Sequence, residues 1–497
     1  MARVAFAPLP SANLFSVLIL GALLSFCSLL LYRAFLGPLR SVPGPLICRL
    51  TSLWTYWHSY IGDECTQINA LHARYGSVVR IAPNELSLSD GAALAPIYAE
   101  KGGFLKAPCY ANFDIEGHET IFSTRDPAHR AVRSKAVVAM FSTSSIRAGS
   151  AAIEGCVTRL MERMREEAAE SRRVYRETGS PKPINMLNLA RSLALDAVSS
   201  YLFDRPFGGI SEKTDRMSAT AFVDTLVAVG RFFFLPNWVF LALEMSRMKF
   251  WPDGEEDASA SKVDDFVSSM VSKAEPGERT YHGRMLGAGI SKAETEVQCK
   301  DLIFAGTDST GTNLSTIVWH LAKQPACYER LRQEVLDVES RDPSYNPQSL
   351  RYLDGVVREG LRISMANPTR FPRVVPPQGF SFETREKLHY EIPAGTLVGV
   401  QPFTVHLNPR VFPDPLAFKP ERWLDATSEM QRDAFPFGLG SRQCIARNLA
   451  TVELFLAVRA IARDNVLAGA EAVGEKIEML EWFNSKIKGE KIEIAWR

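Results

Sequence analysis

The sequence predicts a mainly α fold with a minor β portion, one large domain carried behind an N-terminal transmembrane helix. Three observations lead there. A run of 19 residues without a charge, Leu14 to Tyr32, lies near the start of the chain. Helical apolar spacing recurs in long segments through the remainder, whereas strand-like segments are few and short. No long Gly/Ser/Pro linker and no internal repeat divides the 497 residues, although that length alone would allow two or three domains.

The uncharged run is long enough to cross a bilayer core as a helix. Arg33, Arg40 and Arg49 follow it while Arg3 alone precedes it, so the positive-inside rule keeps the rest of the chain cytoplasmic. A cleaved signal peptide would have a shorter apolar region ending in small residues, and this one ends Leu-Leu-Leu-Tyr-Arg. Residues 1–36 are therefore expected to be a retained anchor, 37–50 a stiff Pro-rich hinge around Pro43-Gly44-Pro45, and 51–497 the catalytic domain.

Within that domain, Leu46 to Tyr75 reads as an early amphipathic helix. The segments 76–83 and 85–88 read as two short strands around a Pro-Asn turn. Residues 151–172 form a charged helix and 185–204 a more apolar one. The stretch 216–250 is unusually aromatic (Phe232-Phe233-Phe234, then Trp238 and Phe240), as either core or a lid that dips into a membrane. Residues 253–261 read as a solvated acidic loop, 294–323 as one long helix and 325–340 as another. Past 365, short Pro-bounded pieces lead to a Gly-rich turn and a helix from Ile445 to Arg463.

Composition narrows the function. Hydrophobic residues at 46% and charged residues at 23% suit a large core, and a net charge of +1 gives no support to a nucleic-acid partner. The eight cysteines contain no CxxC pair, which fits reduced thiols in a cytosol-facing protein rather than a disulfide framework. The histidines show no paired metal spacing, and no Gly-rich loop fits a nucleotide, so the chain is not expected to bind a dinucleotide itself.

Cys444 carries the chemistry. It stands in Phe437-Gly438-Leu439-Gly440-Ser441-Arg442-Gln443-Cys444, just after a Gly-punctuated turn and just before a helical pattern. Helix-terminal N–H groups aimed at the sulfur favour the thiolate. Gly438 and Gly440 let the backbone fold closely over a flat ligand, and Arg442 suits a carboxylate on it. A single thiolate is a better axial haem ligand than a zinc site, which needs three or four protein ligands. A second constellation is Ala305-Gly306-Thr307-Asp308-Ser309-Thr310, in the middle of the long helix. Gly, Ser and Thr weaken a helix locally. An acid followed by an alcohol in an apolar helix is what proton delivery needs: Asp308 to connect to solvent, the Ser309 hydroxyl to hold water for protonation. Taken singly, these motifs also have plain readings, a buried thiol under a turn and a kinked helix with a satisfied Asp.

The Phe437–Cys444 loop, Ala446 after it, and the Gly306–Thr310 segment resemble the cytochrome P450 family over residues 40–497, with Ala446 where most members have Gly and Ser309 where they have Thr. The resemblance implies the mainly helical fold of that family, with haem b held by Cys444 and Asp308, Ser309 and Thr310 as catalytic residues. Phe437 is implied as a haem contact, and Arg442, Arg373 and Arg133 as propionate cations, with His129 replacing the usual Trp beside Arg133. Glu359, Arg362 and Arg422 would form a buried ion triad that locks the Cys loop. Activity, partners and address follow in the same way: a monooxygenase oxidising an apolar small molecule in fungal secondary-metabolite biosynthesis, served by an NADPH–cytochrome reductase and cytochrome b5 at the endoplasmic reticulum membrane. Two other readings stand beside it, a haem-thiolate isomerase or dehydratase and a non-catalytic haem sensor. The cavity is expected to be lined near 104–120, 220–241, 301–309, 366–371 and 482–486.

Overall fold

A computed structural model describes residues 11–214 and 216–497; Arg3, counted above among the flanking charges, lies outside them. The helix α1 (Ser11–Leu31) is followed by a wide π-helical turn, Tyr32–Leu36, and the segment Phe15–Leu36, with a mean hydropathy of 2.3, is exposed for most of its length, with Ala34 buried. The stretch 37–50 acts more as a strut than as a hinge. Arg49 donates to the carbonyls of Ala34, Arg40 and Val42, and the Arg80 amide donates to Pro43 at 2.8 Å.

The expected single helix over 46–75 is three: α2 (Leu46–Leu50), α3 (Leu53–Ile61) and α4 (Glu64–Tyr75). Thr51 is extended and Gly62 takes φ +78°, so the axis turns twice. Strands β1 (Val78–Ala82) and β2 (Glu85–Leu88) pair antiparallel around Pro83-Asn84. They are joined by β3 (Leu105–Lys106), β4 (Arg373–Val374) and β5 (Leu397–Val400) in a sheet of order β1-β2-β5-β4-β3.

The longer helices that follow are α5 (Pro127–Val137), α6 (Ser150–Thr178), α7 (Met186–Phe203), α8 (Thr220–Val229), α9 (Asn237–Phe250), α10 (Gly254–Val271), α11 (Lys292–Lys323), α12 (Pro325–Glu339), α13 (Arg351–Ile363) and α14 (Arg447–Arg463). Helix α10 replaces the loop expected over 253–261. Asp253 caps it by accepting the amides of Glu255 and Glu256, and the acids of its first turn complement the positive end of the helix dipole. Helix α14 begins at Arg447, leaving Cys444 in the turn before it.

The main apolar core gathers α6, α7, α11, α13 and α14. Helix α11 lies against α7 at very close range. A Cβ on Gly311 would sit 2.9 Å from the Arg191 Cα, and one on Gly306 2.8 Å from Val198 Cγ2. Gly306 therefore serves helix packing as well as lining the cavity.

Candidate active site: a thiol-walled cavity under a long helix

A cavity of about 570 Å³ lies between α11 and the loop that precedes α14. Cys444 is open to it, yet the thiol is surrounded by protein and far from bulk water. Burial pushes the thiol pKa up, while the Ala446 amide and the Arg447 charge pull it down. The helix-terminal donor foreseen from sequence is thus present, and desolvation outweighs it. The loop is held by the Cys444 amide, which donates to the Phe437 carbonyl at 2.9 Å. Gly440, at φ +69°, lets the turn press against a different neighbour from the one expected: a Cβ there would lie 2.0 Å from the Tyr98 carbonyl oxygen.

Behind the loop stands the ion triad. Glu359 accepts from Arg362 at 2.9 and 2.7 Å, from Arg422 at 3.0 Å and from the Trp423 indole at 2.9 Å. Glu359 and Arg362 are fully buried, and every charge is paired, as such a site requires. The link to the Cys loop is His406, which sequence reading did not single out. Its Nδ1 lies 3.3 Å from the Arg362 carbonyl and its Nε2 accepts the Phe435 amide at 3.1 Å. Burial, with Arg362 beside it, lowers its pKa to about 3, so the ring is neutral and can accept that amide.

One edge of the cavity collects cations. Arg442 and Arg373 reach it, as expected, and so do Arg130 and Lys106, which were not foreseen. Arg442 donates to the Thr124 carbonyl at 3.0 Å, and Arg373 to the Tyr110 hydroxyl at 3.0 Å. Burial and the neighbouring Arg130 and Arg373 bring the Arg442 pKa down to about 10. Lys106 is buried between the rings of Tyr110 and Phe122, its Nζ 4.2 Å from each centroid, and desolvation with three flanking guanidinium groups pushes its pKa down. So many like charges facing one space call for an anionic occupant.

Arg133 and His129 are not part of this edge. Arg133 is paired with Glu294, bonding its Oε2 at 2.9 Å, and His129 lies between Glu119 and Glu294 at 3.7 and 3.9 Å. The two are four residues apart and share a face of α5 directed at the first turn of α11, so the neighbouring face presents Arg130 to the cavity instead. The cation at the cavity lies three residues before the one expected.

On the other wall, Ser309 and Thr310 line the cavity, and the Ser309 hydroxyl donates back to the Ala305 carbonyl at 2.9 Å. Asp308 points away from it. It is 1% exposed, pairs with Arg191 at 2.5 Å, and accepts from the Asn484 amide at 3.4 Å. Burial raises its pKa and Arg191 opposes the rise. Arg191 also pairs with Asp224 at 3.0 Å, and Asp224 with the half-exposed Arg216 at 3.1 Å. The direct route to solvent expected for Asp308 is therefore an ion chain through Arg191, Asp224 and Arg216. Asn484, itself on the cavity wall, joins that chain to the cavity. Part of the remaining wall is aromatic, with Tyr110, Phe113, Phe122, Phe371 and Phe483 on it and Phe233 packed behind them, and the acids Asp114, Glu116 and Asp301 line it as well.

Comparison with known proteins agrees with this architecture. The cytochrome P450 family model matches residues 43–464. The cytochrome P450 monooxygenase mfmF of Annulohypoxylon moriforme is 36% identical over 97% of this chain and all of its own length. The cytochrome P450 monooxygenase tazI of Aspergillus terreus is 28% identical, covering 86% of each chain. A crystal structure of a cytochrome P450, CYP102L1, superposes with a TM-score of 0.69 at 17% identity, covering 91% of this chain and 98% of that one. The chain belongs to the cytochrome P450 family and is a haem-dependent monooxygenase.

Proposed function

We propose that Cys444 ligates the iron of haem b and that this protein oxidises an apolar small molecule in fungal secondary metabolism. The thiol open to a cavity edged by four cations carries the reading, since haem b needs one axial ligand and partners for two carboxylates. Arg373 and Arg442, helped by Arg130 and Lys106, would hold the propionates, and Phe437, on the same cavity, would contact the haem. When bound, the haem supplies the redox chemistry that activates O₂ and oxidises the substrate. The chain's own residues bind, orient and protonate. The aromatic wall excludes water from an apolar substrate. The Ser309 Oγ donates to the Ala305 carbonyl, and its lone pairs can hold a water at the cavity wall, with Thr310 beside it. Asp308 stores the next proton, and the Asn484 amide bridges it to the cavity.

Electrons come from a separate NADPH–cytochrome reductase, assisted by cytochrome b5. Helix α1 holds the protein in the endoplasmic reticulum membrane as a single-pass anchor (residues 1–36). The strut 37–50 then leads to a cytosolic catalytic domain, 51–497. Support for the membrane face comes from exposed Trp57 on α3 and Trp238, Met248 and Trp251 around α9. Microsomes containing the protein test the whole reading. The reduced, carbon monoxide-treated holoprotein shows the red-shifted Soret band of thiolate ligation, and Cys444→Ala abolishes it. Product formation needs NADPH and reductase, whereas an isomerase would turn over without either.

A further inference from the structure

Arg370 is wholly buried behind the aromatic wall and does not itself line the cavity. Its Nε donates to Glu85 Oε1 at 2.7 Å, and its Nη1 pairs with Glu64. Glu64 opens α4 and is fully buried, while Glu85 opens β2 with a side chain 12% exposed. Among the described residues no other cation lies within ion-pair distance of either acid. The remaining contact is with a ring: the guanidinium carbon stands over Phe234, 3.7 Å from its centroid.

Two aromatic residues are tied to this one side chain. Phe371 follows it in the chain and lines the cavity, with its carbonyl accepting from the Tyr98 hydroxyl at 2.9 Å and its ring 6.1 Å from that of Phe483. Phe234 packs edge-on to Phe233 at 4.8 Å, and Phe233 meets Phe113 at 5.0 Å and Phe483 at 4.5 Å. A shift of the guanidinium therefore reaches the cavity along two routes that converge on Phe483.

We propose that Arg370 is a positioning residue for substrate specificity: stretched between Glu64 and Glu85, its guanidinium fixes Phe234 and Phe371 from outside the cavity, and through them the angle at which a flat apolar group of the substrate lies against the wall. The inference rests on the haem-bearing cavity proposed above. Three buried charges cost more than apolar side chains of the same volume, so they supply something that apolar packing does not. That something is direction. An aliphatic chain slides over a ring, whereas a planar guanidinium held by two carboxylates has one orientation, and the ring it covers is held with it. The two acids come from α4 and β2, so the frame of the fold, and not the loop that carries Arg370, sets that orientation.

The test compares two nitrogen ligands of the haem iron through their spectral dissociation constants. Imidazole is too small to pack on the wall, whereas 4-phenylimidazole carries a ring that does. Arg370→Lys keeps a charge between the two acids but presents no flat face to Phe234. The dissociation constant of 4-phenylimidazole is expected to rise about tenfold in this variant and that of imidazole by less than about twofold, with the reduced carbon monoxide band intact. Phe234→Leu leaves the charges paired and is expected to show the same selective loss, and the double variant no more than either, because all three remove one contact. Wild-type constants for both ligands overturn the proposal. So does an equal weakening of both, which makes Arg370 a support of the haem site as a whole. A selective loss in only one single variant, or losses that add, overturns the route through Phe234. Should Arg370→Lys fail to retain haem, the ratio of the two constants in Phe234→Leu decides alone. Wild-type protein lacking the carbon monoxide band fails the haem-thiolate reading instead, so the two failures are told apart.

Discussion

Arg191 holds Asp308 at 2.5 Å with one guanidinium nitrogen and Asp224 at 3.0 Å with the other, and all three side chains are less than one-tenth exposed. One cation thus serves two buried carboxylates. The two ends of the pair should therefore fail differently. Asp308→Asn keeps the shape and the contact with Asn484 but removes the acid. Product formation is expected to fall about a hundredfold while the haem spectrum stays intact, measured as product per NADPH consumed. Arg191→Leu leaves Asp308 without its cation, while Asp224 keeps Arg216, and should destabilise the fold by about 3–5 kcal/mol, read as a lowered denaturation midpoint.

The cation edge divides the arginines into two groups. Arg442→Gln and Arg373→Leu each remove a charged partner that faces the cavity, and each is expected to weaken haem retention about tenfold or more. Arg133→Ala, which breaks only the pair with Glu294, leaves retention unchanged. The measurement is haem transfer to apomyoglobin, and loss of haem from the Arg133 variant would contradict the assignment of Arg130 to the edge.

Much of this site was legible in the sequence because its motifs are local. The turn that carries Cys444 and the Glu359–Arg362 pair depend on neighbours a few residues away, and Gly spacing and helical period show them. Arg422 was reachable only through the family resemblance. What escaped depends on register or on distant chain. Arg130 and Arg133 differ by three residues on one helix, and only the position of Glu294, across the fold, decides which one turns outward. Asp224, Asn484 and His406 come from segments without any motif, and each matters for a partner more than 30 residues away. The acidic stretch 253–261 was misread because its charges look like a solvated loop, whereas a capping Asp253 makes the same acids favourable to a helix start. The breaks at Thr51 and Gly62 were hidden because apolar spacing continues across them.

Buried neutral histidines should make the fold sensitive to acid. Burial lowers His72 and His320 to about 4 and His406 to about 3, against an unfolded value near 6.5. The unfolded chain therefore binds more protons than the folded one below about pH 6.5. Stability is full above that value and lost as pH falls toward 4, by about 1.4 kcal/mol per pH unit for each ring. The melting temperature is expected to be flat from pH 7.5 to 6.5 and to drop steeply by pH 5. His72 bonds the Gly76 carbonyl and Ser87, both at 2.9 Å, so His72→Gln should lower the plateau slightly and make the acid limb shallower. A melting temperature unchanged from pH 7.5 to pH 5 would show that these rings stay solvated.

Attachment to the bilayer should not depend on α1 alone. Leu53 and Trp57 on α3, and Trp238, Met248 and Trp251 around α9, are each more than half exposed. Tyr60 and Phe232, with centroids 5.7 Å apart, bring α3 next to the turn that leads to α9, so these residues form one region of surface. Each such side chain contributes about 1.5–3 kcal/mol when it leaves water, and three or four together are enough to hold a protein at an interface. Removing residues 1–31 is therefore expected to leave a folded protein that still floats with liposomes, and that detergent but not high salt releases. Serine at positions 57, 238 and 251 in the truncated protein should move it to the soluble fraction, with the reduced carbon monoxide band unchanged. If the truncated protein is soluble from the start, the apolar surface faces something other than lipid.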